Sequence, residues 1–142
     1  MLIRSYVEGD EPAVVALWSE VFGYAQARND PAKVLRDKLT TDGDGELVVV
    51  AERDDELVGT AMAGYDGHRG WLYRVAVAPT HRRHGLARAL VAEAERRLQA
   101  RGCAKVNLQV VDHDDELDAV SFWKAVGYVF EPRISLGKQL GG

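Results

Sequence analysis

The chain has 142 residues, enough for one domain with a sizeable core and too few for two. Its 18 Lys and Arg against 22 Asp and Glu give a net charge of −4, which supplies no general drive toward nucleic acid or an anionic membrane. The single cysteine, Cys103, excludes an internal disulfide and any cysteine-rich metal site. No run approaches transmembrane length, and the opening stretch from Leu2 to Glu11 has no apolar signal-peptide core, so a cytoplasmic location is expected.

In chain order, Leu2–Val7 reads as a short strand. Asp10 is placed to cap a helix with Pro12 in its first turn, and Val14, Leu17, Trp18, Val21 and Phe22 form its apolar stripe before Gly23. Asp30-Pro31 opens a second helix running to about Thr41, with a thinner stripe of Val34, Leu35 and Leu39. Glu46–Arg53 and Glu56–Tyr65 flank Asp54-Asp55 as a hairpin, and Gly59 and Gly64 within its second strand predict a bulge or a close approach. The glycine-rich tip at Gly64–Gly70 carries Asp66, His68 and Arg69, groups a plain turn does not need. Trp71–Val77 is a strand that breaks at Pro79. After the basic loop His81–His84, a long amphipathic helix opens at Gly85, with Leu86, Leu90, Ala94 and Leu98 on one face. Ala104–Val111 reads as a strand, His113–Asp115 as an acidic loop and Glu116–Val126 as a helix. Tyr128–Glu131 and Arg133–Leu140 read as a terminal antiparallel pair joined at Pro132.

The chemistry concentrates at the start of the long helix. A helix N-terminus presents backbone N–H groups without intrahelical acceptors, and its dipole adds partial positive charge. Gly85 lets the main chain approach a ligand, Ala87 leaves room, and Arg82, Arg83, His84 and Arg88 surround the opening. These residues describe a site for phosphate or pyrophosphate, against the blander alternative of a solvated collar on a helix start. Neither G-x-x-x-x-G-K-[ST] nor G-x-G-x-x-G occurs. The histidines are scattered without metal-ligand spacing, so no metal is expected.

Arg82-Arg83-His84-Gly85-Leu86-Ala87 fits the pattern Q/R-x-x-G-x-G/A, and with Val75–Pro79 before it resembles the loop of the GNAT superfamily of acyl-CoA-dependent N-acetyltransferases. A second stretch, Ala119–Tyr128, is similar to that family's N-x-x-A-x-x-F/L-Y-x-x-x-G-F/Y signature through Ala119, Phe122, Gly127 and Tyr128. It departs from it with Glu116 at the asparagine and Trp123 at the tyrosine position. The resemblance covers essentially the whole chain, and the segments around Gly64–Gly70 and Ser135–Lys138 resemble the small bacterial YpeA-like branch.

The resemblance implies one domain over 1–142 of α/β (α+β) class. Its sheet would be mixed, mostly antiparallel and twisted, with six to seven strands, a central parallel pair and about four helices on both faces. It implies acetyl-CoA as cosubstrate, with the pantetheine arm along Val75, Ala76 and Val77. The pyrophosphate would lie on the loop of Arg82, Arg83, His84, Gly85, Leu86, Ala87 and Arg88, and Trp123 would shape the thioester pocket. Asn29 and Asp30, together with Asp66, His68 and Arg69, become candidate acceptor contacts, although Asn29-Asp30 also suits simple capping. Many members form dimers, and the partner otherwise implied is a small-molecule or peptide amine. Asp30 and Asp66 in the lining favour a cationic acceptor.

Transfer to an amine needs a proton removed, because an alkyl ammonium with a pKa near 10.4 is mostly protonated at neutral pH. Many relatives place a glutamate on the central strand for this; here Tyr73 and Arg74 stand there, leaving Asp66, His68 and Tyr73 as candidate bases. The indole of Trp123 is too weak an acid to protonate a leaving thiolate. These two departures keep open the alternative of a non-catalytic acyl-CoA-binding or sensor module on the same fold.

Overall fold

Val48 and Val50 side chains point to one helical layer and Val49 and Ala51 to the other; all four are completely buried, as a central strand requires. The computed structural model describes residues 1–111 and 116–141. Its elements are β1 (Leu2–Ser5), α1 (Glu11–Phe22), α2 (Pro31–Asp42), β2 (Val48–Arg53), β3 (Glu56–Tyr65), β4 (Gly70–Val77), α3 (Leu86–Ala100), β5 (Val106–Asn107) and α4 (Glu116–Ala125). Residue contacts divide the chain into two compact units, Met1–Asn107 and Leu108–Gly142.

In the first unit the strands form one sheet in the order β1-β2-β3-β4-β5. The first four are antiparallel neighbours, and β5 joins β4 in parallel after the α3 crossover. Asp54 and Asp55 turn the β2–β3 hairpin with φ of 53° and 62°, the paired left-handed conformation of a tight two-residue turn, which Asp tolerates. On one face, Val14, Leu17 and Trp18 of α1 and Leu35 of α2 pack on Val48, Val50, Met62 and Ala76. α2 contributes less to this core than α1, as its thinner stripe predicts. On the other face lies α3, with Leu86, Leu90, Val91, Ala94 and Leu98 buried. Gly59 permits that packing: a Cβ there would stand 2.8 Å from Leu90 Cδ1 and 3.2 Å from the Ala76 carbonyl oxygen. Cys103 is a buried free thiol, its Sγ donating to the Lys105 carbonyl at 3.2 Å.

The sheet has five strands among the described residues, not six to seven. Among the described residues, the strand expected over Ala104–Val111 is shortened to β5, paired through Gly70↔Val106 and Trp71↔Asn107. In the second unit, α4 ends as expected at Gly127 (φ 103°), the Tyr128 N–H donating to the Trp123 carbonyl at 2.9 Å. The terminal antiparallel pair is not formed. Ile134, Leu136 and Leu140 are about nine-tenths exposed, so ordering these residues as a lone hairpin would bury no apolar face to offset its entropy. The acidic loop expected at 113–115 lies outside the described residues.

Asp10 stands at the N-cap of α1, yet its carboxylate makes no cap bond to that helix. It accepts instead from the Val7 N–H at 2.9 Å and from two Arg4 nitrogens at 2.7 and 2.9 Å, while Arg4 Nε reaches Glu52 at 2.8 Å. The Arg4 guanidinium holds the Asp10 carboxyl below its ordinary value of 3.8. Its stabilisation is therefore complete above that value and is lost as pH falls through the lower folded one. Replacing Asp10 with Ala should cost about 1–3 kcal/mol in urea unfolding at pH 7. The gap from the parent chain should narrow steadily under more acid conditions than the ordinary carboxylate value.

Candidate active site

The pairing of β3 with β4 slips once, from Thr60↔Ala76 to Met62↔Tyr73, so that Ala61 faces two residues, Arg74 and Val75. This is a β-bulge, and Arg74 occupies it with φ of +50°. A side chain in that region costs roughly 1–2 kcal/mol, so something must hold it there. Thr60, fully buried on β3, donates its hydroxyl to the Arg74 carbonyl at 2.8 Å and accepts the Trp18 indole N–H at 2.8 Å. Trp18, itself completely buried, ties the bulge to α1. The guanidinium of Arg74 lies over the same indole, 5.6 Å from its centroid, and 5.1 Å from the Phe22 ring. None of this trio is singled out by a motif; the available signal was a threonine in the middle of the apolar run Val58–Ala63 and an arginine within Trp71–Val77.

The ladder with β5 ends at Trp71, so from Leu72 to Val77 the outer edge of β4 has no ladder partner among the described residues. Toward β3 the strand stays bonded, through Gly59↔Val77 and the Ala78 N–H to the Val58 carbonyl at 2.8 Å. An exposed strand edge is a row of donors and acceptors that an extended ligand can join. Val75, Ala76 and Val77 lie along this edge.

Directly after β4, a single 3-10 turn at Pro79–His81 leads into the basic loop. Arg82 folds back, its Nε donating to the Val77 carbonyl at 3.2 Å. Arg83 and Gly85 both take left-handed backbone, with φ of 66° and 76°. Such alternation turns successive N–H groups toward one point, the geometry of an anion nest. The first α-helical bond of α3 runs from the Ala89 N–H to the Gly85 carbonyl at 3.1 Å, so the amides of Leu86, Ala87 and Arg88 have no acceptor within the helix. Buried Leu86 anchors the helix start while Arg83, His84 and Arg88 stay exposed around it. A Cβ on Gly85 would meet nothing within 4 Å, so glycine is needed for its conformation and for an unobstructed approach.

At the other end of β4, Asp66–Arg69 forms the β3–β4 turn. One Asp66 carboxylate oxygen accepts from the His68 and Arg69 N–H groups, both at 2.8 Å. The Arg69 N–H foremost, then that of His68, holds this carboxyl below its ordinary value. Burial first, and then the Asp66 charge, push the Tyr73 phenol up. His68 is exposed and Arg69 half-buried on the turn. Asn29 closes the 3-10 turn Ala27–Asn29, its Nδ2 donating to Gln26 Oε1 at 3.2 Å. Asp30 caps α2 through its carbonyl, which accepts from Val34 at 2.9 Å, and not through its side chain. In the second unit, Trp123 stands edge-on to Phe122 and Tyr128, with centroids 5.0 and 5.2 Å away. The structure thus brings Tyr73, Val75, Ala76, Val77 and the loop from Arg82 to Arg88 onto one strand and the turn that follows it. Among the described residues, no group of three or more His, Cys, Asp or Glu is placed to hold a metal ion, and no helix is long and apolar enough to cross a membrane.

A bulged strand with an open edge, followed by an amide-lined loop at a helix start, is the core of an acetyltransferase fold. The chain matches the model of the Acetyltransferase (GNAT) family over residues 11–128 and belongs to that family. It is 39% identical over 140 residues, 99% of this chain and 96% of its relative, to an acetyltransferase of Pectobacterium atrosepticum. Among solved structures it is similar to an aminoglycoside N-acetyltransferase AAC(6')-Iy in complex with CoA, at TM-score 0.76 and 16% identity over 99% of this chain and 95% of that one. It is likewise similar to an aminoglycoside 6'-N-acetyltransferase of Acinetobacter haemolyticus, at TM-score 0.75 and 18% identity over 99% and 100%. The protein is a GNAT-type acetyltransferase.

Removing the Asp66 carboxylate should free the turn. In Asp66→Ala the backbone amides of His68 and Arg69 are expected to exchange with deuterium markedly faster than in the parent chain, and the parent should approach the same rates as acid protonates Asp66. Equal exchange in both chains at neutral pH would contradict the turn described above.

Proposed function

We propose that the chain transfers the acetyl group of acetyl-CoA directly to a primary amine, with both substrates bound together. The observation that carries this reading is the continuity of the open β4 edge with the left-handed loop at Arg83–Gly85. Acetyl-CoA supplies an activated acyl thioester. Backbone groups of Val75, Ala76 and Val77 hold the extended pantetheine amides, and the amides of Arg82, Arg83, His84, Gly85, Leu86, Ala87 and Arg88 hold the pyrophosphate, with their cationic side chains adding long-range attraction. The outward N–H groups of β4 near the bulge, past its last pair with β5 among the described residues, are the donors offered to charge that develops on the acyl oxygen. Because the two substrates are held side by side, positioning supplies most of the acceleration.

For the amine proton, the turn favours His68. Asp66 is a weakened base because two N–H groups already stabilise its charge, and Tyr73 is held protonated as a phenol. Tyr73 therefore serves as a hydrogen-bond donor, and His68 takes the proton directly or through water. Asn29, Asp30 and Arg69 are the polar groups offered to the acceptor. The direct test is thiol release from acetyl-CoA over a panel of primary amines. Release with at least one amine, reduced about a hundredfold or more in kcat by His68→Gln, supports the assignment. Tight coenzyme binding without release for any amine would show a binding module instead.

The loop can be tested apart from the chemistry. Valine at Gly85 forces a β-branched side chain into left-handed backbone with no atom nearby to clash. Coenzyme A affinity by calorimetry should fall by about tenfold or more, since roughly 1.4 kcal/mol of lost binding gives that factor. Gly43→Val, equally left-handed (φ 82°) and uncrowded at the end of α2, should leave the affinity unchanged. Equal retention of coenzyme by both variants would remove the loop from the binding site.

A further inference from the structure

Arg74 carries a cation that the fold positions with care and does not pair among the described residues. Arg4, half-buried like it, holds Asp10 and Glu52, and the well-covered Arg97 holds Glu93. For the Arg74 side chain, also half-buried, no carboxylate or carbonyl accepts a hydrogen bond among the described residues; its contacts are the faces of Trp18 and Phe22. A guanidinium has five donors in a rigid fork, and leaving them without acceptors in a partly desolvated place is costly. Burial already lowers its pKa, the mark of an uncompensated charge. The backbone is strained to present it, and the Trp18–Thr60 hydrogen-bond chain keeps it presented.

We infer that Arg74 determines the acceptor: its guanidinium forks the carboxylate of a small amino carboxylate, such as an amino acid, while the amine of that molecule is acetylated. This rests on the acetyl-transfer reading above and names its substrate class. The place is accessible, because Phe22 and the neighbouring Tyr73 are 44% and 48% exposed. It also lies beside the reacting end of the site, since Arg74 is adjacent to Val75, where the pantetheine edge begins. The coenzyme's own phosphates are not the natural partner. Their loop starts beyond Val77, three extended residues or roughly 10 Å along the strand. A lone guanidinium matches one planar carboxylate, whereas a phosphate dianion calls for more positive charge. The other cation bordering Tyr73 and Gly64, Lys38, is already matched by Asp42 at 2.7 Å. Asp66, whose Oδ1 accepts from the His68 and Arg69 N–H groups, lies on the exposed turn at the far end of β4 and so leaves Arg74 without a carboxylate partner.

The test is run on the whole chain saturated with coenzyme A, following the Arg74 Nε–H resonance, assigned with Arg74→Lys. The twenty L-amino acids, β-alanine and 4-aminobutyrate are titrated beside their amides, decarboxylated amines and inorganic phosphate. Thiol release from acetyl-CoA is measured for the same panel. At least one amino carboxylate should move the resonance while its amide does not. In turnover it should exceed its amide about tenfold to a hundredfold in kcat/KM, as a charge-assisted pair of roughly 1.4–2.7 kcal/mol gives. In Arg74→Met, which keeps a stem against the aromatics, that ratio should collapse toward one with KM for acetyl-CoA unchanged. A resonance unmoved by any carboxylate, amides used as well as acids, or movement by phosphate alone would overturn the inference. Thiol release without carboxylate preference would overturn it and leave acetyl transfer standing. Carboxylate binding at Arg74 with no release for any amine would support the site and remove the transfer.

Discussion

Two hydrogen bonds of 2.8 Å, from the Trp18 indole to Thr60 and from Thr60 to the Arg74 carbonyl, fix the shape of β4. Without them the extra residue in that strand would have no reason to stay in left-handed backbone. Both donors are buried where water cannot substitute, so breaking either leaves a polar group unsatisfied. The bulge bends β4 within three residues of the last pair it forms with β5. A parallel ladder continued past Trp71 would occupy the donors and acceptors proposed above to hold the coenzyme. Core packing and strand shape are therefore joined at one threonine, which satisfies the buried Trp18 indole and holds the Arg74 bulge.

The opposite face of the sheet does complementary work. Helix α3 packs close because Gly59 and Gly70 carry no side chain toward it; a Cβ on Gly70 would stand 2.7 Å from Cys103 Sγ. Buried Leu86 and Leu90 then fix where the helix begins relative to the end of β4. The left-handed Arg83 and Gly85 of the preceding loop lie just ahead of that start. Donors held in place before a ligand arrives lose less entropy on binding it, which is what a buried Leu86 at the helix start contributes to the proposed site.

Much of this was legible in the sequence, for identifiable reasons. The β2–β3 hairpin, α1, α2 and α3 follow from hydrophobic period and from glycine or proline at their ends, and their boundaries fall within a residue or two of expectation. The loop at Arg82–Arg88 was visible because its chemistry needs contiguous residues. The bulge was not, because it depends on Trp18, Thr60 and Arg74, which lie on three separate elements and obey no spacing rule. The terminal pair expected on either side of Pro132 did not form, because Ile134, Leu136 and Leu140 are left about nine-tenths exposed and bury nothing. Asp10 was assigned a cap it does not make, since Arg4 and Glu52 come from strands that the local pattern cannot bring to it.

The central claim is that one continuous surface, the outer edge of β4 and the loop that follows, receives the coenzyme. Backbone amide chemical shifts recorded while coenzyme A is added to the labelled protein test it most directly. The largest changes are predicted at Val75–Val77 and again at Arg83–Arg88, with the β1–β2 pairs at the far edge of the sheet unmoved. Changes centred elsewhere in the chain, or confined to exposed arginine side chains with these amides still, would contradict the account.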